Sequence, residues 1–161
     1  MLTRDLEAFM AFSKAVPATS GPSCAKSVFL ISPEGFSLSE QSATDNRYMR
    51  MDLPADAVIA LEEHRILRSE ISKVCPVVCF TGALNTPDAV FPNNVFATRP
   101  GRLIIGHMRH PSRQLETQRA DIRDFFRQTL GYQEIDLSTQ PGICELTGSM
   151  IIDRARGIGF C

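Results

Sequence analysis

The feature that most constrains the fold is an alternation of short apolar runs with stretches of helical spacing. Residues 27–31 read Ser-Val-Phe-Leu-Ile and stop short of Pro33. A continuous apolar run of that length, closed by a breaker, reads as a buried strand. Residues 55–74 read as a helix: Asp52 and Pro54 are start signals and Pro76 lies just past the end. Ala57, Leu61, His64, Leu67, Ile71 and Val74 recur at helical spacing, which predicts one core-facing stripe. Residues 76–81 follow as a second buried strand. Strand, helix and strand in this order point to an α/β chain.

The alternation continues. Residues 94–98 and 103–106 read as a hairpin around Arg99-Pro100-Gly101-Arg102. Its Pro-Gly centre suits a type II turn, with φ preset by proline and the positive φ taken by glycine. A second helix is predicted over 112–130, with Leu115, Ile122, Phe126 and Leu130 on one face and Gly131 as its stop. Strand candidates follow at 132–137, 143–146, 150–153 and 158–161. The last of these reads as the return strand of a hairpin, and an apolar edge there invites pairing. Ahead of the domain, residues 1–26 read as a poorly ordered lead-in. It carries a short helix at 6–16 and a breaker cluster of Pro17, Ser20, Gly21, Pro22 and Ser23. Residues 33–53 are polar without a period, a long loop of the kind that often carries function.

Charge narrows the partners. The net charge of −1 argues against nucleic acid, whose phosphates are bound by clustered positive charge. Arginine supplies 14 of the 17 basic residues, which fits either guanidinium-based recognition or a codon bias. Met1-Leu2-Thr3-Arg4-Asp5-Leu6-Glu7 has no apolar signal-like core, and no run reaches membrane-spanning length, so no membrane role is expected. Cys24, Cys75, Cys79, Cys144 and Cys161 are odd in number and irregularly spaced, as expected of reduced thiols in a cytoplasmic protein. Cys75 and Cys79 lack a second pair, and His107 and His110 lack accompanying ligands, so neither a metal nor a cofactor is expected. Gly142 and Gly148 form no phosphate loop. His64, on the apolar stripe, reads as a satisfied, partly buried side chain.

Three short motifs carry chemistry. In Pro87-Asp88-Ala89-Val90-Phe91-Pro92-Asn93-Asn94 an acid enters an apolar, strand-like run. A carboxylate there costs free energy unless a cation or hydrogen-bond donor meets it. Asp88 therefore either caps a turn after Thr86-Pro87 or awaits a ligand. Pro92 removes one ladder hydrogen bond, so the run ends a strand or lies at an edge. In Ser112-Arg113-Gln114-Leu115-Glu116, Arg113 is either a solvated helix-end residue or a binding group. In Cys144-Glu145-Leu146-Thr147-Gly148-Ser149-Met150, Glu145 is either an exposed strand residue or a functional acid.

In order and spacing these motifs make residues 27–161 resemble the guanidino-group-modifying, or pentein, superfamily. Its members include amidinotransferases, arginine deiminases, dimethylarginine dimethylaminohydrolases and citrulline-utilisation-type hydrolases, and the chain is most similar to the last. The resemblance implies an α/β propeller of ββαβ units around a pseudo-fivefold axis, with the ligand at the axis. This chain would supply about half of the fan and end in mid-unit.

The resemblance also implies a substrate, the guanidinium of arginine or a derivative, which is planar and presents five donors in a fixed fork. On it, Asp88 is one acceptor, and Glu145 both binds the guanidinium and assists proton transfer. Asn93 and Asn94 are neutral contacts where some relatives carry acids, and Arg113 meets the substrate carboxylate. In the family a cysteine thiolate attacks the guanidinium carbon while a histidine moves protons. Both lie in the later half of a member, beyond residue 161, and no cysteine here falls at the nucleophile position. The expectation is the N-terminal part of a hydrolase or amidinotransferase. The alternatives are a non-catalytic guanidinium-binding module and a half-pentein that self-associates as a homodimer through its C-terminal edge.

Overall fold

In the computed structural model, which describes residues 3–17, 24–53 and 55–161, the expected alternation is present with shifted boundaries. Residues 20–23 of the breaker cluster and Pro54 lie outside the described residues. Helix α1 spans Leu6–Ala15, and its N-cap Asp5 accepts from the Ala8 amide. Strand β1 (Val28–Ile31) is followed by the single-turn α2 (Glu40–Ala43), helix α3 (Ala57–Ser72) and strand β2 (Val77–Phe80). Next come β3 (Phe96–Arg99), β4 (Arg102–Ile105), α4 (Pro111–Gln114), α5 (Ala120–Asp124) and β5 (Gln133–Asp136). The hairpin of β6 (Ile151–Asp153) and β7 (Ile158–Phe160) closes the chain. No helix among the described residues is long and apolar enough to cross a membrane.

Each sheet follows from its connection. β1 and β2 pair in parallel, Val28 with Val77 through Ile31 with Phe80, because α3 carries the chain back across the layer. β3 and β4 pair antiparallel around Pro100-Gly101, where Gly101 takes φ +74° as the turn demands. β5 joins the other edge of β4 in parallel, Arg102 opposite Gln133. β4 is therefore the central strand of its sheet and is covered on both faces. Leu103 and Ile105 point into a core with Ile31, Phe96, Met108, Ile122 and Phe126, while Ile104 points into a second cluster with Leu137, Cys144 and Leu146. A strand buried on both sides reads as a continuous apolar run, and Leu103-Ile104-Ile105 is one. Edge-to-face ring contacts, such as Phe29 to Phe126 at 5.4 Å, knit the β1–β2 layer onto this core.

Five expectations need correction. The stripe on α3 does not face the core: the helix has no buried residue, and Leu61, Leu67 and Val74 are exposed. Only Ala60, His64 and Ile71 are half-buried on it, because two four-residue strands offer too little surface to cover a helix of sixteen residues. His64 is partly buried but not satisfied, since among the described residues its enclosed Nε2 has no hydrogen-bond partner. Burial accordingly pushes the His64 imidazole below its ordinary pKa.

The predicted helix over 112–130 is broken. After α4 the chain tightens into a 3₁₀ turn at Glu116–Gln118, leaves helical geometry at Arg119 (ψ 96°) and re-enters α5 before a π turn at Phe125–Thr129. Its inward face is Arg113, Glu116, Thr117, Ile122 and Phe126, whereas Leu115 and Leu130 are exposed. Turning two charged groups inward sets the winding, and an apolar period cannot reveal that. Residues 143–146 are not a strand but one isolated bridge, Cys144 with His107, followed by a helical turn at Leu146–Ser149. Residues 87–94 are not strand-like either: 87–90 form turns, and Pro92–Asn94 wind as a 3₁₀ turn, consistent with proline barring a ladder bond.

Candidate functional site

The ends of these elements converge on a cleft of about 620 Å³, within the size range of small-molecule sites. Its wall includes Ser42 and Asp45 from the segment after β1, Asn94 before β3, Arg109 and His110 after β4, and Glu145 after the bridge. The long polar segment 33–53 thus supplies one side of the cleft. Arg113 also reaches the wall.

Glu145 is placed by the bridge. Cys144 exchanges two backbone hydrogen bonds with His107, at 2.9 and 3.0 Å, and the next residue turns its side chain toward the cleft. Glu145 Oε1 accepts from the Arg109 amide at 3.1 Å; among the described residues Oε2 has no hydrogen-bond partner. Gly106 permits the close approach, because an added Cβ would sit 2.6 Å from the Cys144 carbonyl oxygen and 3.1 Å from Leu146 Cγ. Gly106→Ala is expected to cost about 1–3 kcal/mol and to shift Glu145. Thermal unfolding reads the first effect, and an unchanged melting curve would count against it.

Asp88 is 4% exposed and does not itself line the cleft. Its Oδ2 accepts the Ser42 hydroxyl, and Ser42 does line it. Among the described residues its carboxylate does not cap its own turn; the turn is closed by the Asp88 carbonyl, which accepts from the Phe91 amide. Asn93 is committed elsewhere. Its Nδ2 donates to Thr147 Oγ1 at 2.7 Å, and that hydroxyl donates to the Asn93 carbonyl at 2.8 Å, tying the 92–94 turn to the 146–149 turn.

Arg113 is neither solvated nor free. It is 6% exposed, and its Nε and Nη2 donate to the two Glu116 oxygens at 3.1 Å each. Nη2 also donates to the carbonyls of Asp88 and Phe91, at 3.4 and 3.1 Å. This fork clamps the Asp88 turn onto α4. Burial raises the Glu116 carboxyl above its usual range, the Arg113 ion pair pulls it back, and the charge of Asp88 adds to the rise. The structure therefore brings Asn94, Arg113 and Glu145 to one cleft wall, sets Asp88 one hydroxyl behind it, and uses Asn93 as a brace.

The sequence did not single out Asp45 or Arg109, and it weighed His110 only as a metal ligand. Asp45 Oδ2 accepts from Arg109 Nη1 at 3.0 Å and lies 2.9 Å from His110 Nε2, joining the 33–53 segment to the rim. Their one available signal was Arg109-His110 in the loop that follows the apolar strand β4. The Arg109 guanidinium holds the Asp45 carboxyl below the usual aspartate pKa. A depressed folded value means the contact is at full strength above about pH 3.9 and is lost as pH falls through the lowered value. A carbon-NMR titration of Asp45 should show a midpoint below 3.9 that returns toward it in Arg109→Ala; an ordinary midpoint in the parent chain would contradict the contact. Among the described residues no group of three or more His, Cys, Asp and Glu side chains is arranged to hold a metal ion.

The fold is that of the guanidino-modifying, pentein-type enzymes. The apo structure of ArgZ, an arginine dihydrolase of the ornithine-ammonia cycle in cyanobacteria, matches with a TM-score of 0.66 at 20% identity, over 81% of this chain and 19% of that one. A variant of AgrE in binary complex with L-arginine matches at 0.64 and 19% identity, over 81% of this chain and 18% of that one. A dimethylarginine dimethylaminohydrolase adduct with S-methyl-L-thiocitrulline matches at 0.57 and 20% identity, over 80% and 47%. The chain thus spans from under a fifth to under a half of these solved chains. No curated protein matches. The chain belongs to the family described as N,N dimethylarginine dimethylhydrolase, eukaryotic, whose model matches residues 32–161.

Proposed function

We propose that this chain is the guanidinium-binding, N-terminal part of a guanidino-modifying hydrolase acting on arginine or an arginine derivative. One observation carries the reading: Glu145 is held at the cleft by the Arg109 amide through Oε1, with Oε2 left to accept. A carboxylate fixed in this way is suited to a guanidinium, whose paired N–H groups bind carboxylates in parallel. Ser42, itself bonded to the buried Asp88, is a second acceptor, so that negative charge stands behind a neutral hydroxyl. Asn94, on the same lining, has a side-chain amide able to accept as well. In this arrangement Asp88 acts on the ligand through Ser42, Asn93 braces the wall, and Arg113 holds the Asp88 turn in place.

The nucleophile is the missing element. No cysteine is among the residues lining the cleft, and Cys144, beside Glu145, points into the core. Burial first, then the neighbouring Cys161, pushes the Cys144 thiol up, away from the thiolate that attack on a guanidinium carbon requires. We therefore place the nucleophilic cysteine outside residues 1–161. L-arginine and N-methylated arginines incubated with this chain alone should yield no citrulline, while the same chain joined to a nucleophile-bearing continuation should turn one of them over. Citrulline formed by residues 1–161 alone overturns this reading.

A further inference from the structure

Ile143 and Ser149, on the wall of the cleft, also line a second cavity of about 770 Å³. It lies between α1, the 140–144 segment and the end of β7, and both Cys144 and Cys161 line it. The last hairpin brings these two cysteines together. Phe160 pairs with Ile151, so Cys161 returns beside Met150, whose amide closes a turn on the Leu146 carbonyl. Met150 in turn packs on the cluster that holds Cys144. The two thiols meet in a hydrogen-bond contact, Cys144 being 5% exposed and Cys161 open to solvent.

We infer that Cys144 and Cys161 form a reversible disulfide that locks the turn carrying Glu145. Thiols already in contact need little backbone movement to close, unlike cysteines held apart. Exposed Cys161 is the one that an external oxidant reaches first. Its thiolate attacks one sulfur of a small disulfide such as oxidised glutathione, whose S–S bond breaks and releases one thiolate. Cys144, losing its proton, attacks the Cys161 sulfur of this mixed disulfide, forms the protein S–S bond and expels the second thiolate. The two protons given up by the cysteines go to the two expelled thiolates. Two protein thiols are thereby oxidised and one small disulfide is reduced. Burial keeps the Cys144 thiol protonated at rest, so it takes the second, intramolecular step. The closed loop contains Glu145, the 146–149 turn and β6. Closing it removes freedom from the segment that holds Glu145 Oε1 on the Arg109 amide, whichever ligand the cleft takes.

Residues 1–161, equilibrated in glutathione buffers of rising oxidised share, then alkylated and digested with trypsin, test this. Peptide 128–154, which carries Cys144, should appear joined to peptide 157–161, which carries Cys161, and dithiothreitol should separate them. The oxidised chain should melt about 6–12 °C above the reduced one. Its Arg109 amide should also exchange hydrogen more slowly under native conditions. Cys161→Ser, a change at an exposed residue, should lose both effects and melt with the reduced parent. Linkage of Cys161 to Cys24, Cys75 or Cys79 instead, linkage between chains, or no linkage at all overturns the inference. So does a Cys144–Cys161 bond that leaves the melting temperature and the Arg109 exchange at their reduced values.

Discussion

Arg113→Ala is expected to lower the unfolding free energy by about 3–5 kcal/mol, the cost of stripping one partner from a buried ion pair. The size of the effect follows from what the guanidinium holds. It satisfies both Glu116 oxygens and two backbone carbonyls, and Glu116 is 1% exposed, so no water can replace it without opening the core. A domain of this length has a total stability of only about 5–15 kcal/mol, so the variant should stand near the edge of folding. The loss depends on pH. Glu116 already has a raised pKa from burial, and without Arg113 it would take up a proton more readily still. A folded-state pKa above the unfolded one means the penalty is small below about pH 4.3 and grows as pH rises through the raised value. Urea titrations at pH 5 and pH 8 should therefore show a larger deficit at pH 8. A deficit below about 1 kcal/mol at pH 8, the size seen for exposed pairs, would show that the fork is not structural.

Glu145→Gln should weaken L-arginine binding by about tenfold to a hundredfold while leaving the fold intact. The amide oxygen of glutamine can still accept from the Arg109 amide, so the local brace survives. What disappears is the charge that a guanidinium requires, and hydrogen bonds to charged groups contribute about 1.5–3 kcal/mol each. Fluorescence-monitored or calorimetric titration gives the affinity, and thermal unfolding checks the fold. Equal affinities for the parent and the variant would remove Glu145 from the site.

How much of this was legible in the sequence depends on what each element is made of. Val28–Ile31, Val77–Phe80 and the Pro100-Gly101 hairpin were readable because their residues encode them locally, through continuous apolar runs or preset φ angles. Gly106 was not distinguished from the other glycines, since the Cys144 carbonyl it faces is distant in sequence. The stripe on Ala57–Ser72 was real as a period but wrong as a burial forecast, because period reports only which residues share a face. Burial depends on how much sheet lies beneath it. At the site, Glu145, Asn94 and Arg113 were found by motif resemblance, and the cleft brings all three together. Their roles are tertiary matters. Arg113 looks like any helix-end arginine until Glu116 and the Asp88 turn close around it, and Asp45 carries no local signal in a polar, aperiodic segment.

The claim on which the rest depends is that this cleft selects a guanidinium. Its most direct test is a paired calorimetric titration of the full chain with L-arginine and with L-norleucine, which keeps the amino-acid end and an apolar side chain but has no guanidinium. Saturable one-to-one binding of L-arginine, with none of L-norleucine at the same concentrations, is the expected result. Equal binding of the two, or no binding of L-arginine at all, would contradict it.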